Sequence, residues 1–120
     1  MKKMALGRAL AILVSALFIL SLPLAASAHD PEKVDVFYNF TNKTLVVKIT
    51  HPSNNPDRHF VKEVVVKKNG AVVQRAAFTR QDGDVFTYTY KMQATGEDVI
   101  EVTAICSIRG SKTVKYQAGV

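Results

Sequence analysis

The chain is predicted to be all-β, and three observations predict it. Beyond residue 30 the apolar residues come in short runs that alternate with polar ones, the two-residue period of a half-buried strand. Turn-forming clusters separate these runs, and one of them, Asn69-Gly70, is the strongest short-range signal for a hairpin. Outside the N-terminal leader no stretch repeats its apolar residues at the period of an amphipathic helix.

Each strand can be placed in turn. Val34 to Phe40 is the first run, and Asn42-Lys43 turns it into Thr44 to Thr50, where Leu45, Val47 and Ile49 share one face. Phe60 to Lys68 follows a loop, and Asn69-Gly70 closes it onto Ala71 to Thr79. Gln81-Asp82-Gly83-Asp84 leads into Val85 to Lys91, with Phe86, Tyr88 and Tyr90 alternating with threonines. Ala94-Thr95-Gly96-Glu97 turns into Asp98 to Cys106, where Ile100, Val102, Ala104 and Cys106 lie on one side, and Lys112 to Tyr116 is the last run. About seven antiparallel strands is the number of an immunoglobulin-like sandwich.

The first residues predict export. Lys2, Lys3 and Arg8 precede an apolar stretch from Ala9 to Leu24, and Ala26-Ser27-Ala28 has the small-x-small pattern of a signal-peptidase site. A retained membrane span needs about twenty apolar residues, and Ser15, Ser21 and Pro23 weaken that alternative. The expectation is a cleaved signal peptide over 1–28 and a domain over 29–120, periplasmic or secreted, with no membrane attachment after cleavage. Removing 28 residues from 120 leaves 92, enough for one small core and no second domain. Three basic residues leave with the leader, so the formal charge falls from +6 to +3. So modest and scattered a charge argues against nucleic acid as a partner, which would need a clustered basic face.

The chemistry-bearing residues are few. His51-Pro52 and His59-Phe60-Val61 lie on the loop between two predicted strands, and the single cysteine, Cys106, ends a third. Two imidazoles and a thiolate suit iron, copper or zinc, and argue against the oxygen-preferring calcium and magnesium. In an exported domain a lone cysteine is a ligand, an intermolecular thiol, or a buried inert group. No nucleophile elbow, phosphate-cradling glycine loop or zinc-protease helix occurs.

His51-Pro52, a short loop, His59-Phe60-Val61 and then Cys106-Ser107-Ile108-Arg109-Gly110 at a strand end together resemble the iron-binding domain of the desulfoferrodoxin and superoxide reductase (neelaredoxin) family. Glu32-Lys33-Val34-Asp35-Val36 is similar to the segment that opens that domain, and the resemblance runs from about Glu32 to Lys115. It implies a seven-stranded sandwich holding one iron (Fe2+/Fe3+) by equatorial histidines and an axial cysteine, open to superoxide at the sixth position. His51 and His59 match two of the four equatorial histidines and Cys106 the axial thiolate. The other two positions hold Val34 and Arg109, and arginine cannot ligate. The resemblance makes Lys33 the catalytic candidate, since the family places a Glu-Lys pair beside the open position.

The expected function is therefore superoxide reductase-like one-electron chemistry at a His/Cys-ligated iron, with superoxide or another small anion as substrate. No Cys-x-x-Cys module is present, so electrons are expected from an external donor protein. Two histidines and one cysteine also describe a copper site, with Met92 as its axial candidate. His29, first residue after cleavage, could chelate through its amine and imidazole. Lys33, Arg58, Lys62 and Arg109 are candidates for steering anions, and Asp57 and Glu63 for orienting the imidazoles. A second resemblance, of His59-Phe60-Val61-Lys62-Glu63-Val64 with Asn69-Gly70, is to the immunoglobulin-like carrier-complex subunits of thiosulfate oxidation, and implies a metal-free binding module.

Overall fold

The structure is a computed structural model that describes residues 30–119. The leader over 1–28 and His29 lie outside the described residues. Seven strands follow in order: β1 Lys33–Asn39, β2 Thr44–Thr50, β3 Val61–Lys68, β4 Ala71–Ala77, β5 Val85–Lys91, β6 Val99–Cys106 and β7 Ser111–Gln117. All pairings are antiparallel, and no helix occurs among the described residues. One sheet has the order β1-β2-β5 and the other β4-β3-β6-β7.

Turn chemistry sets the hairpin registers. Asn69 and Gly70 both have positive φ, 52° and 87°, the backbone that a two-residue hairpin between right-twisted strands requires. Between β1 and β2 the Asn39 side-chain oxygen accepts from Thr41 N at 2.9 Å and Asn42 N at 3.3 Å, an Asx turn.

With register fixed, alternation builds the core. Leu45, Val47 and Ile49 of β2 are fully buried, as are Ile100, Val102 and Ala104 of β6, and Val34, Val64 and Val66 join them in one cluster. Each of the valine, leucine and isoleucine side chains contributes roughly 1.5–3 kcal/mol by leaving water. The Tyr116 hydroxyl accepts from Tyr38 N at 3.2 Å, and the Tyr38 hydroxyl donates to Met92 O at 2.7 Å. These bonds tie β1 to β7 of the other sheet and to the segment after β5.

Asp98 closes the end of the sandwich next to the β3–β4 turn. Its carboxylate accepts from Thr95 N and from Asn69 Nδ2, each at 2.8 Å. These bonds, the backbone one foremost, hold its pKa below the ordinary value of 3.8.

Two outcomes are expected. Leu45→Ala removes the centre of β2 and costs about 3 kcal/mol, read as a lower urea midpoint with an unchanged slope. A carboxyl whose folded pKa lies below its unfolded value stabilises the fold above that value and loses this contribution as pH falls through the folded pKa. Urea titrations from neutral pH down through pH 3.8 should therefore show a shallower acid decline for Asp98→Asn than for the wild type.

Candidate metal centre

The same alternation that fills the core delivers two of the three candidate ligands. The inward row of β2, Leu45, Val47 and Ile49, continues two residues on to His51, which is 1% exposed. The inward row of β6, Ile100, Val102 and Ala104, ends on Cys106, which is 2% exposed. One residue from each sheet thus closes the same end of the core.

Backbone bonds extend the ladders far enough to hold these ends. His51 N donates to Asp84 O at 2.7 Å, prolonging the β2–β5 pairing. Cys106 N donates to Gly110 O at 2.9 Å, closing the turn between β6 and β7. Val61 pairs with Cys106, and beyond it Ser107 N donates to Phe60 O at 2.8 Å and Phe60 N to Ser107 Oγ at 3.1 Å. His59, half-buried two residues before Val61, is carried to the cysteine by that pairing. Its carbonyl accepts from the Ser53 hydroxyl, and its amide donates to Asn55 O at 2.7 Å.

The outcome is a cluster. One ligand atom from each of His51, His59 and Cys106 lies within 4.8 Å of the others, and the two imidazoles meet edge-on with centroids 4.6 Å apart and planes at 81°. Metal–nitrogen bonds of about 2.0–2.1 Å and metal–sulfur bonds of about 2.3 Å permit donors up to roughly 4.4 Å apart. Donors within 4.8 Å of one another come within a few tenths of an ångström of that span, and two imidazoles with a thiol are a donor set that fits a transition metal. Burial of Cys106 also closes it to an intermolecular disulfide.

No family model matches the chain, and no curated protein matches it. Among solved structures it is similar to a superoxide reductase from Nanoarchaeum equitans at 11% identity, covering 75% of this chain and 92% of that one with a TM-score of 0.46. A superoxide reductase (neelaredoxin) from Ignicoccus hospitalis gives 17% identity, 75% and 79% coverage and a TM-score of 0.44. A hypothetical protein from Pyrococcus horikoshii gives 17% identity, 78% and 93% coverage and a TM-score of 0.48. These are likenesses of chain trace; the donor cluster belongs to this chain's own geometry.

Several expected neighbours stand elsewhere. Met92 follows the Lys91 end of β5, whereas His51 follows the Thr50 end of β2, which pairs with Val85. A seven-residue strand separates them, about 20 Å, so Met92 is not an axial ligand. Its backbone carbonyl serves Tyr38 and its amide donates to Lys43 O at 3.0 Å. Val34 is a buried core residue facing Ile49 across the β1–β2 ladder, and Arg109 is exposed.

Asp57 and Glu63 do not orient the imidazoles. Asp57 pairs with Arg80 at 3.5 Å and Glu63 with Arg75 at 2.9 Å, both toward solvent. A hydrogen-bonding partner of the His51 ring is Gln81, a buried side chain that the sequence placed only in a turn. Its Oε1 lies 2.9 Å from His51 Nδ1 and 3.2 Å from Val61 N, and its Nε2 donates to the carbonyls of His51 and of Gly83. A glutamine between Arg80 and Asp82 carries no sequence signal for such a role, because all of these partners except Gly83 are distant in the chain.

Beside His51 opens a cavity of about 570 Å³ lined by Asp30, Glu32, Pro52, Ser111 and Lys112. Lys33, Arg58, Lys62 and Arg109 do not line it. Lys33 opens β1 on its outward face, with its ammonium 3.6 Å from Asp35. Glu32 N donates to Thr50 O at 2.8 Å and Lys112 Nζ to Glu32 O at 3.1 Å, which fixes this wall beside the end of β2.

Gly110 couples that wall to the cysteine turn. It has φ +87°, and a Cβ added there would run into the Asp30 carboxylate. Gly110→Ala is expected to cost about 1–2 kcal/mol. Differential scanning calorimetry checks it: Asp30→Ala in the same chain should recover the steric part of the loss and leave the backbone part.

Proposed function

We propose that this chain is an exported mononuclear metalloprotein of the superoxide reductase type, which holds iron through His51, His59 and Cys106 and passes single electrons at that iron. The observation that carries the reading is the convergence of two imidazoles and a thiol from two sheets and a loop within 4.8 Å. Bound iron would supply a ferrous–ferric couple and coordination positions not taken by protein. Cys106, at the end of a buried strand row, is shielded from water and from other thiols. His51 is held from its backbone by Asp84 and at its ring by Gln81, and the cavity beside it gives a small molecule access.

On this reading superoxide takes up one electron from a separate donor protein and two protons to give hydrogen peroxide. Lys33, exposed at the head of β1 and opposite Thr50 in the ladder, stands outside the cavity wall and on this reading acts on the anion only through its long-range charge.

A second reading is favoured by the cavity lining. Asp30 and Glu32 set two carboxylates against the single ammonium of Lys112, a balance that draws cations and opposes anions. On that reading the same donors hold copper, which imidazole and thiolate also suit, and the protein handles the metal or transfers electrons through it.

Metal analysis with optical spectra separates the two, using protein that starts at His29 and is loaded anaerobically with ferrous iron, copper or zinc in separate samples. The expected result is one iron per chain, a thiolate charge-transfer band on oxidation that is absent in Cys106→Ser, and consumption of superoxide. An intense blue band with copper and weak binding of iron would move the function to copper. Absence of any stoichiometric metal would sink both readings.

A further inference from the structure

The orientation of the Gln81 amide is determined by its surroundings. Val61 N is a donor and can face only the amide oxygen, while the carbonyls of His51 and Gly83 are acceptors and can face only the amide nitrogen. Flipping the amide would replace three hydrogen bonds by three like-to-like contacts in a buried site, at a cost of several kcal/mol. Oε1 is therefore the atom facing His51 Nδ1 at 2.9 Å. An amide oxygen only accepts, so Nδ1 must carry the proton, and in the neutral imidazole the lone pair is on Nε2.

We propose that Gln81 is the positioning residue of the metal centre: its amide holds His51 as the Nδ1–H tautomer and so presents Nε2 to the metal. The proposal rests on the reading of His51 as a ligand and adds which nitrogen binds and what selects it. Metal-bound histidines commonly donate their second N–H to a fixed acceptor, and loss of that acceptor typically weakens metal binding by 10- to 100-fold. Here the acceptor is neutral, so it orients the ring without adding a negative charge to the buried site.

Gln81 is anchored independently of the metal. Its backbone amide donates to Pro56 O at 3.2 Å in the loop that carries His59, and its side chain bonds Val61 of β3 and Gly83 in the turn before β5. One residue thus sets the ring of His51 relative to the chain that brings His59. The tautomer is already selected in the metal-free protein.

The test is nitrogen-15 NMR of the histidine rings in metal-free, full-length mature protein, with titration of cobalt(II) or zinc(II) as the binding probe. The expected wild-type spectrum shows His51 with a protonated Nδ1 and a lone pair on Nε2. Gln81→Leu is expected to lose that tautomer and weaken metal binding by 10- to 100-fold, whereas Gln81→Glu, although less stable because an acceptor then faces the carbonyls of His51 and Gly83, keeps an acceptor at Nδ1, keeps the tautomer and binds within about tenfold of wild type. An Nε2–H tautomer in the wild type would overturn the proposal whatever metal does, and needs no variant to fold. A folded Gln81→Leu that loses the tautomer yet binds metal as tightly as wild type would overturn the positioning role alone. Wild type with the expected tautomer that takes up no metal would instead overturn the reading of His51 as a ligand, and the positioning role with it.

Discussion

The two-residue period of β2 and β6 is the constraint on which the rest depends. In β2 it runs from Leu45 through Val47 and Ile49 to His51, and in β6 from Ile100 through Val102 and Ala104 to Cys106. The same alternation that removes aliphatic side chains from water aims an imidazole and a thiol at each other across the end of the core. A slip of one residue in either ladder would turn the whole row outward, and the ligand with it. The site therefore needs no device of its own to bring His51 and Cys106 together; it uses the selection for burial that already fixes register.

The strands were legible because each is short, alternating and bounded by turn residues with a specific backbone need. Thr44–Thr50 and Val85–Lys91 coincide with their apolar runs end to end, and the others differ by one or two residues where a ladder gains or loses a terminal pair. The inward position of Cys106 could be read from its strand. That of His51 could have been, since it extends the β2 row by one more period, but Pro52 directly after it reads as a loop. The candidate ligands were legible as residue types, and their convergence needed the β3–β6 pairing that draws His59 toward Cys106.

What surrounds the ligands was not legible. Asp57 and Glu63 have the right chemistry to orient an imidazole and are close to His59 in sequence, yet arginines on the surface hold both. Gln81 does that work from a turn thirty residues beyond His51. Met92 failed for a geometric reason: antiparallel pairing of β2 with β5 puts the start of one strand beside the end of the other, so the residue after β5 stands as far from the residue after β2 as the sheet allows. The cavity likewise takes its charge from Asp30, Glu32 and Lys112, which adjoin strand ends rather than the histidine loop.

Because His51 follows a strand of the three-stranded sheet and Cys106 ends a strand of the four-stranded one, any ion that both hold is a bolt between the layers. Its effect on hydrogen exchange would be lopsided. Amides at the end of the sandwich near Asp84, Phe60 and Ser107 would slow together when the bolt is in place, while those around Asn69 and Asp98, at the far end of β3 and β6, would keep the pace of the empty protein. The domain would then have one hinged end and one clamped end, and the clamped end is the one that carries the candidate ligands.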